Sequence, residues 1–367
     1  MDNTGTARFL RPYAGSDLTC ALGCRTSRVY VGTADGSVLA FAANASGESD
    51  RSGGAEVPLA VSLTRVLWDL RVSTQAVTSV CGNEAEEQRN STLLVVGSAG
   101  GELVILREKL ELRRFQLESA VQHICFHQDG EFIVGDVHGN LYGVTHYEIL
   151  WKRRLPTIAT RNDVGAECFY PSVVMPTVQA IANAKLLDVE KTLSSYVLVA
   201  TGQKHLLLTH RGKDFGVVPT RTPISTLASI PAEDEDVVLA AGEEGVIYRL
   251  VSYRDTVPSD MPDFRFGAET WARVPFSVAK LLPLKVNTPP TKAKQSEFAY
   301  ICLGVDGEVA QFRGRECVKQ WSAAFFSNVE LEFPVDLTLL NGGDASTTRL
   351  SGAIVFPQRI HIFPIEL

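Results

Sequence analysis

Seven copies of one β-hairpin pattern predict an all-β fold, a single seven-bladed β-propeller of four-stranded antiparallel blades. The clearest copy is VYVGTADGSVLAF at 29–41, in which two apolar runs flank a turn of Gly and Asp. Near-copies occur at 93–106, 132–144, 237–250 and 299–312, and weaker copies at 196–208 and 352–363. Val, Ile and Tyr favour strands, and Gly permits the positive φ of a tight turn. Each copy therefore predicts the two middle strands of a blade.

The spacing of one glycine in each copy indicates the length of the repeat. In the five good copies we assign one equivalent place to Gly32, Gly97, Gly135, Gly242 and Gly304. With Gly202 added, the spacings are 65, 38, 67, 40 and 62 residues. The short spacings match a four-stranded blade of about 40 residues, and the long ones are explained by an inserted loop.

Further strands are predicted on both sides of the hairpins. A preceding strand is predicted at 18–24, 76–82, 121–127, 178–184, 224–230, 277–284 and 335–340, and a following strand at 65–72, 111–117, 149–155, 270–276 and 319–325. The last unit has no fourth strand after it. We therefore expect the segment at about 7–13 to supply the outer strand of blade seven, because an open ring would leave two unpaired sheet edges.

The evenly spread repeat predicts one domain over residues 1–367. Polar insertions are predicted at about 43–58, 83–91, 156–176 and 286–297.

The hairpin at 29–41 followed by VLWDLRV at 66–72 resembles the quinoprotein-type repeat, in which V-Y-V-G-x-x-D-G precedes a strand with Trp near its start. Trp68, Trp151 and Trp321 are assigned to that Trp position. The pattern is also similar to divergent WD40 and FG-GAP-type propellers, including those of Bardet–Biedl-type coat subunits. Only Trp68-Asp69 matches the Trp-Asp ending of a WD40 repeat, and its Gly-His pair is absent. The resemblance implies an architecture and, by analogy of fold, a subunit of a larger assembly.

Composition narrows the classes of function. With 35 Lys and Arg against 42 Asp and Glu, the net charge of −7 disfavours a dedicated nucleic-acid binder. The polar N-terminal segment shows no secretory signal, and no apolar run of about 18 residues predicts a membrane span. Most of the seven cysteines lie in apolar strands, which favours reduced thiols. We expect a protein of the cell interior, cytoplasmic or nuclear.

No catalytic or metal motif is evident. His123, Cys125 and His127 alternate along one predicted strand, but they span about 13 Å, too far for one zinc ion. Cys20 and Cys24 are similarly too distant to pair or to share a metal easily. Core packing is the preferred interpretation of both groups. The quinoprotein resemblance implies no cofactor either, because neither an export signal nor a ligand set accompanies it. We expect no metal or cofactor.

The hairpin turns are the first candidate binding surface. They carry charged or polar residues that should cluster on one face of the ring, namely Asp35, His138, Glu243, Glu244 and Asp306. Because most of these are acidic, we expect that face to prefer a basic or polar partner segment.

Two further groups have open interpretations. Lys152, Arg153 and Arg154 lie on a predicted outer strand, where they either protect an exposed sheet edge or meet an acidic peptide or phosphate. Phe169 and Tyr170, in the insertion at 156–176, either anchor a partner or pack back onto their blade.

These observations favour a non-catalytic protein-interaction scaffold or adaptor. Such a WD40-like propeller would be a subunit of a multiprotein complex and would dock partner peptides or helices on its loop faces. A trafficking-coat complex and a chromosome or checkpoint complex are equally compatible. Two alternatives stay open: an enzyme with its site at the channel mouth, and a nucleic-acid binder acting through the basic blade edge.

Overall fold

The computed structural model describes residues 8–10, 16–24, 28–45, 61–82, 93–127, 130–157, 175–187, 192–210, 213, 215–232, 234–252, 266–284, 298–326, 332–341 and 350–365. In this part of the chain, 28 strands form seven four-stranded antiparallel sheets. The predicted all-β, seven-bladed propeller is therefore confirmed. The predicted insertions at 83–91 and 286–297 lie outside the described residues, as do most residues of those at 43–58 and 156–176.

Blades 1 to 3 follow one another along the chain. Blade 1 comprises β2 (Leu18–Cys24), β3 (Arg28–Thr33), β4 (Ser37–Ala45) and β5 (Val61–Arg71). Blade 2 comprises β6 (Val77–Gly82), β7 (Leu93–Ser98), β8 (Glu102–Arg107) and β9 (Leu110–Gln116). Blade 3 comprises β10 (Val121–Phe126), β11 (Phe132–Asp136), β12 (Asn140–Val144) and β13 (Ile149–Arg154).

Blades 4 to 6 repeat this order. Blade 4 comprises β14 (Ala180–Leu187), β15 (Leu193–Ala200), β16 (His205–Thr209) and β17 (Phe215–Pro219). Blade 5 comprises β18 (Ile224–Ile230), β19 (Val237–Gly242), β20 (Val246–Ser252) and β21 (Phe266–Arg273). Blade 6 comprises β22 (Val278–Leu284), β23 (Ala299–Gly304), β24 (Val309–Arg313) and β25 (Glu316–Trp321), followed by the short helix α1 (Ala323–Phe326).

Blade 7 joins the two ends of the chain. It comprises β26 (Asp336–Asn341), β27 (Leu350–Phe356), β28 (Arg359–Ile365) and β1 (Arg8–Leu10). Strand β1 pairs antiparallel with β28, with Arg8 opposite Ile362 and Leu10 opposite Ile360. The N-terminal segment thus supplies the outer strand of blade seven, as predicted, and leaves no edge of β28 open there.

The first strands of the blades surround the centre of the ring, since each contacts the first strands of its neighbours, including β26 with both β22 and β2. The hydrophobic core lies between blades. In one cluster, Tyr30 and Trp68 of blade 1 pack with Val77 and Leu94 of blade 2. Middle strands such as β7 are fully buried, whereas the outer strand β9 is largely exposed.

The second-to-third-strand turns lie at one end of the ring, which we call the turn face, together with the links between successive blades. The opposite end is called the loop face. Six of these turns contain a glycine with φ between 66° and 92°: Gly36, Gly101, Gly139, Gly202, Gly245 and Gly307. This backbone region is rarely open to other residues. At Gly36 a Cβ atom would also lie 2.2 Å from the Ser73 carbonyl oxygen.

Two register assignments made from the sequence are wrong. Gly32, Gly97 and Gly135 are equivalent, but Gly242 and Gly304 lie one residue further along their strands. They sit where blade 1 has Thr33. The equivalent glycines are instead the turn glycines with positive φ, such as Gly36 and Gly245. Gly36 follows Gly32 by four residues, whereas Gly245 follows Gly242 by only three.

The tryptophan assignment needs a similar correction. Trp68 and Trp151 pair with equivalent third-strand residues, Ala40 and Gly143, whereas Trp321 pairs with Val309, two residues out of step. Cross-strand register, which sequence spacing does not show, decides this position.

Candidate functional site

The first strands of five blades share a bulge near the turn face. In each, one extra residue interrupts the pairing with the second strand: Thr19, Thr78, Gln122, Ser225 and Ala279. Such a bulge re-aims the residue after it. The residues at the next position, with their counterparts in blades 4 and 7, we call the channel layer: Cys20, Ser79, His123, Ala180, Thr226, Lys280 and Asp336.

Asp336 joins three blades through one carboxylate. Its Oδ2 accepts the Ala21 N–H of blade 1 at 2.7 Å, and its Oδ1 pairs with the Lys280 ammonium of blade 6. Elsewhere in the ring, the Thr226 hydroxyl accepts the Leu281 N–H at 3.1 Å. These side chains satisfy backbone donors that no neighbouring strand reaches. The polar groups of this layer therefore hold first strands together.

His123 and Cys20 are held in their neutral forms. Burial lowers the pKa of His123 to about 4, with the Lys280 charge acting in the same direction and Asp336 opposing it. Burial, helped by the Asp336 charge, raises the pKa of the Cys20 thiol to about 12. A base with a pKa near 4 and a thiol with a pKa near 12 are poorly matched to catalysis at neutral pH.

Strand β10 carries His123 and Cys125, and His127 directly follows it. Within the described residues, no group of three or more His, Cys, Asp or Glu side chains could hold a metal ion. Cys125 lies 3.4 Å from the Phe126 carbonyl oxygen, and burial raises its thiol pKa to about 11. Cys20 is a free, buried cysteine, and the side chain of Cys24 lies outside the described residues.

The five predicted turn residues all lie on the turn face and are exposed: Asp35, His138, Glu243, Glu244 and Asp306. Asp35 is ordered by its own turn, because its Oδ1 accepts the Thr33 hydroxyl at 2.6 Å and the Ser37 N–H at 3.3 Å. The Thr33 bond is the main reason that the pKa of this carboxyl is lowered. The structure thus brings these residues to one end of the ring, and their binding of a partner stays a prediction.

The predicted basic edge lies on β13, the outer strand of blade 3, where Lys152, Arg153 and Arg154 are exposed. Lys152 pairs with Glu118 and lies 5.6 Å from the Tyr142 ring centroid. The outer strand therefore mixes cations with acidic neighbours. Phe169 and Tyr170 lie outside the described residues.

The structure contains an exposed apolar surface that was not predicted from the sequence. We call it the blade 6–7 patch. Its members are 40 to 54% exposed: Val305, Phe325, Phe333 and Val335. The segments that carry them approach Gly307, since a Cβ atom there would lie 3.6 Å from Pro334 Cδ, between Phe333 and Val335 in the chain, and 3.7 Å from Ala323 Cβ, two residues before Phe325. The acidic turn residue Asp306 is part of the same turn.

Helix α1 explains why one of two adjacent phenylalanines is exposed. Phe326 is fully buried against His361 and Phe363, with ring centroids 5.0 and 5.2 Å away. Phe325 remains on the surface. The strand predicted at 319–325 is wrong beyond Trp321, because β25 ends there and the helix follows. The adjacent pair Phe325-Phe326 was the feature of the sequence that could have indicated an exposed Phe. In a helix, two adjacent apolar residues point in different directions, so one can be buried while the other is exposed.

A groove of about 590 Å³ lies between blades 4 and 5. Its lining residues are Pro219, Thr220, Arg221, Tyr248, Ala268, Glu269 and Thr270. Its charged lining residues are Arg221 and Glu269, and its hydroxyl groups belong to Thr220, Tyr248 and Thr270. In the described part of the chain, no helix is long and apolar enough to cross a membrane.

No protein-family model matches the sequence, and no curated protein matches it. Solved structures do match it. A crystal structure of BBS1N in complex with ARL6DN, soaked with mercury, has a TM-score of 0.61 at 14% identity, covering 98% of this chain and 96% of that chain. The β-propeller domain of Cps50 (Swd1) from Myceliophteria thermophila has a TM-score of 0.57 at 13% identity, covering 98% of this chain and 100% of that chain.

These likenesses concern architecture, because identities of 13 and 14% show a shared fold and no more. In all, 1187 chains of solved structures match this one, so the fold does not select a function. The chain is a seven-bladed β-propeller.

Proposed function

We propose that the protein is a non-catalytic scaffold, a subunit of a multiprotein complex whose turn face docks a basic and apolar segment of a partner protein. The observation that carries the proposal is the blade 6–7 patch beside the acidic turns. Exposed apolar side chains that lie together are typical of interaction sites, and charged neighbours select the partner.

The chemistry of the channel layer also supports a scaffold rather than an enzyme. Asp336 and Lys280 are bonded to one another, and His123 and Cys20 are held neutral at pH 7. We propose no catalytic residue.

We also propose that the complex to which the protein belongs lies inside the cell. The matching structure of BBS1N contains a protein partner, ARL6DN. Cys20, Cys125, Cys302 and Cys317 are free thiols, as is usual in reducing compartments. We expect the cytoplasm or the nucleus. A trafficking-coat complex and a chromosome or checkpoint complex remain the two candidate settings.

Affinity purification from native cells, with quantitative mass spectrometry, tests the proposal. The tagged full-length protein is compared with the Phe325→Ser/Phe333→Ser variant and with Leu193→Ser as a matched control. Leu193 is 46% exposed, like the patch residues, but begins β15 at the loop face. We expect stoichiometric partners with the wild-type and control proteins and their loss with the double variant.

Two results would overturn the proposal. One is recovery of the wild-type protein alone, as a monomer with a bound metal or small molecule, which would favour an enzyme. The other is equal recovery of partners with all three proteins, which would remove the turn face from the interface.

A further inference from the structure

A second surface with charged side chains lies at the junction of blades 5 and 6. Trp271, on β21 of blade 5, donates its indole N–H to the Gly314 carbonyl of blade 6 at 2.9 Å. The Phe298 ring stacks on it, with centroids 5.4 Å apart and planes inclined by 26°. The indole is therefore fixed from both blades, and the β24–β25 turn places it towards the loop face.

Two arginines lie against this ring. The Cζ atom of Arg315 is 4.3 Å and that of Arg249 is 5.0 Å from the Trp271 ring centroid. Because both lie within 5.0 Å of one ring, the two guanidinium groups are less than about 10 Å apart. Stacking orients a planar guanidinium and leaves the N–H donors along its edge available. We call Arg249, Trp271 and Arg315 the arginine stack.

Neither guanidinium of the stack forms an ion pair in the described part of the chain. Glu269 lies directly opposite Arg249 in the strand ladder, and Glu316 follows Arg315, yet neither carboxylate pairs with them. Other arginines behave differently. Arg114 pairs with Glu102 and Glu111, and Arg359 pairs with Glu332. In a chain of net charge −7, two oriented guanidinium groups thus lie at one site with no carboxylate partner among the described residues.

We infer that the arginine stack binds an acidic segment of a partner protein, through two carboxylates on alternate residues of an extended peptide. Alternate side chains of an extended strand lie about 7 Å apart on one face, which suits two guanidinium groups less than about 10 Å apart. Each guanidinium can take one carboxylate through paired N–H donors. The inference does not depend on the turn face, which lies at the other end of the ring.

The flanking carboxylates distinguish this partner from a nucleic acid. Glu269 and Glu316 would repel a continuous phosphate backbone, and the net charge of −7 opposes it at long range. A short peptide with spaced carboxylates avoids both kinds of repulsion, because its neutral residues can lie beside Glu269 and Glu316.

Fluorescence anisotropy with labelled peptides tests the inference on the full-length protein. The probe is an extended peptide of alternating Glu and Thr, and its counterpart has Gln in place of Glu. The variant is Arg249→Gln/Arg315→Gln, and the matched control is Arg71→Gln/Arg114→Gln, which removes two exposed arginines from the outer strands of blades 1 and 2. We expect the double variant to lose about tenfold or more in affinity for the Glu peptide, with little change in the control. The Gln peptide should bind neither protein measurably.

Several results would overturn the inference. The first is that the wild-type protein does not bind the Glu peptide at about 1 mM. The second is that the control variant loses as much affinity for this peptide as the arginine variant. The third is that the wild-type protein binds an oligothymidine probe more tightly than the Glu peptide and that the arginine variant loses this binding. Thermal melting checks that each variant is folded. If Arg249→Gln unfolds the protein, Arg315→Gln alone suffices, because Arg315 is exposed in a turn.

Discussion

The channel layer and the turn face carry similar polar residues but use them in opposite ways. In the channel layer, the Asp336 carboxylate is bonded to Lys280 and to the Ala21 N–H. On the turn face, Asp306 is exposed beside an apolar surface. A buried charge is tolerated only when it is bonded, whereas an exposed one can remain available to a partner. Burial thus separates residues that close the ring from residues that can bind.

Replacing Asp336 should give the largest effect. Asp336→Ala leaves the Lys280 ammonium and the Ala21 N–H without their acceptor, so we expect the free energy of unfolding to fall by about 3–5 kcal/mol. Urea denaturation followed by circular dichroism measures it. Asp306→Ala, on the turn face, is the matched control and should stay within about 0.5 kcal/mol of wild type. Equal losses in both variants would contradict the contrast.

Acid should destabilise the channel layer through His123. Its pKa is lowered to about 4 in the folded protein, against about 6.5 when unfolded, so below pH 6.5 the unfolded chain binds the proton that the folded protein excludes. Stability present above pH 6.5 is therefore lost as the pH falls towards 4, by up to about 3 kcal/mol.

The measurement is the slope of unfolding free energy against pH between 6.5 and 4. The slope is proportional to the number of protons taken up on unfolding, and His123→Gln should lower that number by about one. The control is Thr226→Val, in the same layer but without a titrating group, which should keep the wild-type slope. An unchanged slope in His123→Gln would show that this imidazole is protonated equally in both states.

Thr226→Val should have an intermediate effect at neutral pH. The substitution keeps the shape of the side chain but removes the acceptor of the Leu281 N–H, which should cost about 1–3 kcal/mol. Thr270→Val, on the exposed surface of β21, should change stability by less than about 0.5 kcal/mol. Thermal unfolding at one protein concentration compares the two. A stable Thr226→Val variant would mean that water replaces the hydroxyl.

The smallest effect on stability is expected at the blade 6–7 patch. Phe325→Ala and Phe333→Ala should each change the free energy of unfolding by less than about 1 kcal/mol, because both side chains are exposed. Phe326→Ala, at the neighbouring buried position, should cost about 3–5 kcal/mol. Chemical denaturation of the three variants measures the difference. A large loss in Phe333→Ala would assign this residue to the core and weaken its role in docking.

The candidate sites were less predictable than the fold. The turn residues Asp35, Glu243 and Asp306 could be assigned to one face because equivalent turns of a propeller lie at the same end. The exposure of Phe333 could not be predicted, since an isolated Phe in a sequence usually indicates the core. Arg249 and Arg315 are 66 residues apart in the sequence and meet only because adjacent blades place them on the same ring.

The sequence by itself predicted most of the strands, the number of blades and the closure of blade seven by the N-terminal segment, but not the fourth strand of blade 4, β17. These features depend on local alternation of apolar residues and on turn glycines, which a single stretch of chain contains. Only the tertiary structure decided the register of Gly242 and Trp321, the bond between Lys280 and Asp336, and the arginine stack. Each of these depends on how one sheet is aligned with its partner strand or with the next blade, and that alignment is set by packing between residues distant in sequence.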